Sequence, residues 1–225
     1  MTIRAYKFLT PGSRSPFTGH QWEVPGATGE VGWGVAELPL RHCENGWHVC
    51  QPEHLSYWLA AELWEVELSG EVMKMGCSLV AERARLNRRV PGWPDRIGAA
   101  FMAACAWRVR DLAVREARRA GAAELADRLA ACAELGAVTA VASAGQEQVG
   151  DDEVAAMFGY SEDAVTYTND GDPAAVAYVA AHAADRASPE PGQRLLGNVT
   201  PFQLERVWQA QWLTKTLGLA EVADG

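Results

Sequence analysis

Residues 63–72 read LWEVELSGEV. Side chains two apart on an extended chain point to the same face, so Trp64, Val66 and Leu68 share one side and Glu65, Glu67 and Ser69 the other. That alternation predicts a half-buried sheet member whose apolar face meets a core. Toward the N-terminus, IRAYKFL (3–9) sets Ile3, Ala5 and Lys7 against Arg4, Tyr6 and Phe8. HQWEV (20–24) sets Trp22 and Val24 against Gln21 and Glu23. Both read as strands. In the intervening PEHLSYWLAAEL (52–63), Leu55, Tyr57, Trp58, Leu59 and Leu63 follow mixed helical spacing behind Pro52, which predicts a short helix from Pro52 to about Glu62.

Beyond RVPGWPD (89–95) the chain turns alanine-rich with helical spacing. A boundary there predicts an N-terminal α+β lobe over 1–90 and a helical lobe over 91–225. The longest helix is expected to start near Pro94, with Ile97, Phe101, Cys105 and Leu112 at helical intervals and Gly121 as its stop. A second runs through AELADRLAACAELG and a third through DPAAVAYVAAHAAD, capped by Asp172 with Pro173 in its first turn. The fourth opens on Thr200, Pro201 and Gln203, the signature of a capping box, and its Leu204, Trp208 and Trp212 stripe reads as core. The fold class is therefore α+β: a small, mostly antiparallel N-terminal sheet with a short helix, then an Ala-rich C-terminal helical bundle packed on it.

With 225 residues, 48% of them hydrophobic, the chain is long enough to bury a sizeable core. A net charge of −9 argues against a generic nucleic-acid binder, since phosphate binding is driven by Lys and Arg. The opening MTIRAYKFLTPGSRSPF lacks the apolar core of a signal peptide, and the longest apolar run, Ile97 to Trp107, is too short to span a bilayer. A cytoplasmic protein with no membrane segment is expected. Its five scattered cysteines then read as reduced thiols without a structural disulfide.

Chemistry concentrates in HCENGWHVCQPEH (42–54), which holds three of the five histidines and two of the five cysteines. Cys43, His48, Cys50 and His54 are the candidate metal donors. Their C-x4-H-x-C-x3-H spacing matches no common structural zinc module. On a strand, however, His48 and Cys50 share a face, and the turn at Asn45-Gly46 folds Cys43 back toward them. An imidazole and a thiolate suit zinc or another divalent transition metal. A second reading makes Cys50 a catalytic nucleophile with His48 or His54 as its base, helped by a helix start at Pro52. The same residues also fit a core in which both cysteines are small buried hydrophobes and His48 is a hydrogen-bonded core histidine. A small-molecule ligand is the expected partner of a site here.

From Arg83 to Arg119 ten arginines stand against Asp95, Asp111 and Glu116. They fit either an anion cleft or a solvated helix face with Asp111 and Arg115 one turn apart. Nine tryptophans and these arginines also allow a non-catalytic interaction module, because both residue types are favoured at binding hot spots. TNDGDP (168–173) lacks the carboxylate pattern of a calcium loop and reads as a turn into the Asp172 cap. Phosphate-loop, nucleophile-elbow and H-E-x-x-H motifs are absent.

The AYKFL opening, the C-x-x-G-x-H-x-C segment (Cys43, Gly46, His48, Cys50), YWLAAELWEVELSGE and the closing VWQAQWLTKTLGL resemble an uncharacterised bacterial, mainly actinobacterial, protein family with related openings in phage proteins. The resemblance covers most of the chain and implies a shared structural unit without an assigned activity. More loosely, the order of a YKFL strand, a GWHV strand, a helix with Tyr57 and Trp58 and a strand with Glu65 is similar to that of ADP-ribosyltransferases, which hold nicotinamide between a strand and an aromatic helix. That analogy implies Tyr6, Tyr57, Trp58 and Glu65 as ligand-binding residues.

Overall fold

A computed structural model describes residues 2–26, 29, 31–188 and 199–219. Among these residues five strands form one antiparallel sheet: β1 (Ile3–Leu9), β2 (Gly34–Val35), β3 (Trp47–Val49), β4 (Glu62–Met75) and β5 (Ser78–Arg89). β4 and β5 make a long hairpin joined at Met75–Ser78. β1 lies on the far side of β4, with Tyr6 opposite Glu65, and β2 and β3 both pair with β5. Just past β3, Cys50 exchanges two backbone hydrogen bonds with Tyr6, of 2.9 and 2.8 Å. The sheet thus curls round from β1 through β4, β5 and β3 back to β1. Its inner face collects Ala5, Leu9, Val49, Val66, Leu68, Leu79, Ala81, Ala84 and Leu86.

The curl explains the burial of a residue expected on a solvated face. Glu65 is 3% exposed, because the first half of β4 is covered on both sides, and its carboxylate is held by Arg88 at 2.5 Å. HQWEV is not a strand: only Gln21 makes an isolated bridge, to Arg14, and Pro25 lacks the N–H with which a ladder would continue. Trp22 is nevertheless buried, its indole donating to Ser15 Oγ at 2.9 Å. The helix expected over Pro52 to Glu62 is a 3-10 helix, Pro52–Tyr57, closed by short-range bonds such as Trp58 N to Leu55 O. It stops early because Glu62 is recruited into β4, where its carboxylate accepts from Gly12 N, Ser13 Oγ and Trp64 Nε1.

Among the described residues six α-helices follow: α1 (Asp95–Arg119), α2 (Ala123–Ala130), α3 (Leu135–Gln148), α4 (Asp152–Asp170), α5 (Pro173–Arg186) and α6 (Pro201–Leu217). Asp172 caps α5, and the Thr200/Gln203 capping box forms as expected. The second expected helix ends as α2, and α3 and α4 are additional. On α6 the buried positions are Glu205, Arg206, Gln209, Ala210 and Leu213, whereas Leu204 is 48% exposed. The face is rotated because Arg108 pulls Glu205 inward through paired bonds of 2.8 and 2.6 Å. The expected Asp111–Arg115 contact is replaced by Asp111 with Arg110 at 2.7 Å.

Contacts divide the chain into Met1–Ile97 with Ala210–Gly225, and Gly98–Gln209. These limits differ from the expected 1–90 and 91–225: α1 and α6 each begin in one unit and end in the other. No described helix is long and apolar enough to cross a membrane. All five cysteines are free thiols.

Candidate functional site

Within the first unit an open cleft of 690 Å³ is walled by Trp22, Trp47 and Trp58, the Phe17 loop and the β4–β5 turn. Its volume lies in the range of small-molecule sites. The indoles of Trp22 and Trp47 meet edge to face at 4.6 Å, and Phe17 packs on Trp58 at 6.2 Å. Trp58 is fixed from the opposite wall by donating to Cys77 O at 2.9 Å. Trp47 lies flat across β2 because residue 34 is glycine; a Cβ there would overlap the ring.

On the rim, Arg41 and Asn45 bridge to form a tight hairpin, and Asn45 Nδ2 reaches back to the carbonyls of Glu37 and Pro39. Gly46 follows at φ 126°, packed so closely that a Cβ would overlap Val80 Cγ1. At the tip Cys43 adopts φ 64°, a left-handed conformation that costs a non-glycine residue about 1–2 kcal/mol. Adjacent side chains on an extended chain diverge; the left-handed turn instead brings those of His42 and Cys43 together, with Sγ 3.3 Å from Nδ1.

His48 on β3 completes the group. Donor atoms of His42, Cys43 and His48 all lie within 4.8 Å of one another. Each imidazole keeps one nitrogen for orientation and leaves the other toward the cluster. His48 Nδ1 donates to Gly46 O at 3.0 Å, so its Nε2 is unprotonated and accepts from Cys43 N at 3.0 Å. His42 Nε2 meets Ser78 Oγ at 3.3 Å. Burial holds His48 below the ordinary histidine value, against the opposing pull of the Gly46 carbonyl, so the ring is neutral at pH 7. Such backing of ligand imidazoles by carbonyl or hydroxyl groups is how metal ligands are oriented.

Of the four expected donors, Cys43 and His48 come together and Cys50 and His54 do not. His48 and Cys50 share a strand face, but between them the chain steps from the rim into the interior, where Cys50 is 1% exposed. Burial shields its thiol and pushes its pKa far up, which argues against Cys50 as a nucleophile. His54 sits on the 3-10 helix beside Glu53 and Tyr57, away from the cluster. Among the expected ligand-binding residues, only Trp58 lines the cleft. Tyr6 and Glu65 are buried opposite one another on β1 and β4, and Tyr57 faces outward at 37% exposure.

His42 and Lys7 were not among the sequence candidates. The His-Cys dipeptide ahead of an Asn-Gly turn is the signal for His42, since such a turn folds residues 42–43 back onto 47–48. Nothing in the strand pattern marks Lys7. It occupies an inward position of β1, and its ammonium emerges in the cleft to donate to His48 O at 2.8 Å, with the Trp22 ring at 5.9 Å. Burial lowers its pKa to about 8. Searches against family models, curated proteins and solved structures return no match.

Proposed function

We propose that the first unit is a metal-assisted small-molecule site, with His42, Cys43 and His48 as ligands of a zinc-type divalent ion and the tryptophan-walled cleft as the seat of an organic ligand. The observation that carries this reading is the convergence of two imidazoles and a thiol on the rim of an apolar cleft. Three protein donors of this kind suit zinc and leave a fourth position open, as catalytic rather than structural sites do. An ion held there would polarise a ligand oxygen as a Lewis acid. Binding must break the Cys43 N to His48 Nε2 bond, worth roughly 1 kcal/mol, against on the order of 10 kcal/mol for a thiolate–imidazole zinc site. The metal wins that comparison. The concave shape around His48 favours a ligand over a protein-interaction surface.

The test is metal analysis of protein purified without an affinity tag, followed by cobalt substitution. Thiolate-to-cobalt charge-transfer bands are expected in the wild type, Cys50→Ala and His54→Ala proteins, and their loss in Cys43→Ser and His48→Ala. Absence of bound metal, together with a melting temperature unmoved by chelator or added zinc, would sink the reading.

A further inference from the structure

The chain carries 29 acidic residues, yet among the described residues no aspartate or glutamate lines the cleft, and neither does any arginine. Among the described residues its one lysine is Lys7. The three donors of that ammonium have a single hydrogen-bond partner among the described residues, the carbonyl of His48 at 2.8 Å. The Trp22 ring stands 5.9 Å away, and His48, whose ring burial keeps neutral, lines the same cleft. A charge left partly unsatisfied in such surroundings attracts an anion more strongly than it would in water.

We infer that the cleft selects a flat aromatic monocarboxylic acid, its ring between the tryptophan walls and its carboxylate on the Lys7 ammonium. This inference rests on the reading of the cleft as a ligand site. One compact ammonium matches one carboxylate. A phosphate dianion is better held by guanidinium forks, which the cleft lacks. The half-buried indoles of Trp47 and Trp58, the first backed edge to face by buried Trp22, offer the aromatic surface on which a planar ring packs. A charge-assisted hydrogen bond in this setting contributes tenfold or more in affinity over a neutral isostere.

Calorimetric titration of metal-free protein with benzoate, indole-3-acetate and 2-naphthoate, each beside its uncharged amide, tests the inference. At least one acid is expected to bind tenfold or more tightly than its amide. Lys7→Met should erase that preference while still binding the amide, and His54→Ala, outside the cleft, should retain it. Binding of acids and amides with equal affinity overturns the carboxylate inference alone, as does a preference that survives Lys7→Met. Failure of every acid and amide to bind overturns the ligand-site reading as well.

Discussion

The amide of Cys43 donates to Nε2 of His48 across the mouth of the hairpin at 3.0 Å, so the residue that carries the thiol also occupies the nitrogen beside it. This contact and the left-handed backbone at Cys43 separate what the position does for stability from what it does for metal. Cys43→Gly relieves the backbone strain and keeps the amide, so it should be about 1 kcal/mol more stable than Cys43→Ala by denaturant unfolding. Both should lose the metal. Equal stability of the two variants would show that φ at residue 43 is not constrained.

Thiol reactivity should follow accessibility rather than proximity to histidine in sequence. Cys43 is exposed and Cys77 partly so, whereas Cys50, Cys105 and Cys132 are buried. Burial also raises the Cys50 and Cys105 thiols. In a native iodoacetamide time course read by mass spectrometry, Cys43 should be modified first, Cys77 more slowly, and Cys50 and Cys105 only on unfolding. Early modification of Cys50 would contradict the packing beneath β3.

Lys7 makes stability depend on alkaline pH. Its pKa is about 8 folded against 10.5 unfolded, so the folded state is disfavoured by on the order of 3 kcal/mol below pH 8. That cost is removed as pH rises from 8 to 10.5, where the unfolded chain still binds the proton. Lys7→Met removes the ammonium but leaves the His48 carbonyl without its donor, at roughly 1 kcal/mol. The net gain at pH 7 should be about 2 kcal/mol and should vanish before pH 10.5. A gain independent of pH would refute the linkage.

Tyr6 carries a buried hydroxyl without a hydrogen-bond partner among the described residues, and burial, with Glu65 adding to it, raises its pKa. An unsatisfied buried hydroxyl costs more than its removal, so Tyr6→Phe should stabilise by about 1 kcal/mol. Glu65→Gln should destabilise, because the bond from Arg88 lowers the Glu65 pKa and the stability this gives is lost as pH falls from 4.5 through the folded value. Urea unfolding of both variants at pH 7 and pH 4 distinguishes them: destabilisation by Tyr6→Phe would reveal a partner for the hydroxyl.

Local periodicity was enough to read β1 and β4 and the capped starts of α5 and α6, since each depends on residues within one or two turns. Closure of the sheet was not legible. It depends on Cys50 pairing with Tyr6 forty-four positions away, and that contact is what buries Glu65 and takes Cys50 out of the site. Cys43 and His48 were recognisable from residue type, and Asn45-Gly46 marked the turn between them. His42 escaped because neighbours in an extended chain are expected to diverge, and only the left-handed φ at Cys43 brings the pair together. Lys7 looked like any polar residue in an alternating strand, because the cleft that makes it unusual is assembled from the loops holding Phe17 and Trp22 and the β4–β5 turn.

The bond pair between Tyr6 and Cys50 also bears on aggregation. An open sheet offers its outer strands as templates for foreign chains, which is how domain swapping and fibril growth begin. Here the outer side of β1 is taken up at its centre by Cys50, and β3 is held between β5 and β1. Among the described strands, the margin beyond β2 is two residues long, Gly34–Val35, too short to seed extension, and the longer edge still open is the end of β4 past Leu68, which pairs only with β5. Substituting proline at residue 6 or 50 would cut this closure and, by exposing the side of β1, convert a ring that resists self-association into a sheet open to it.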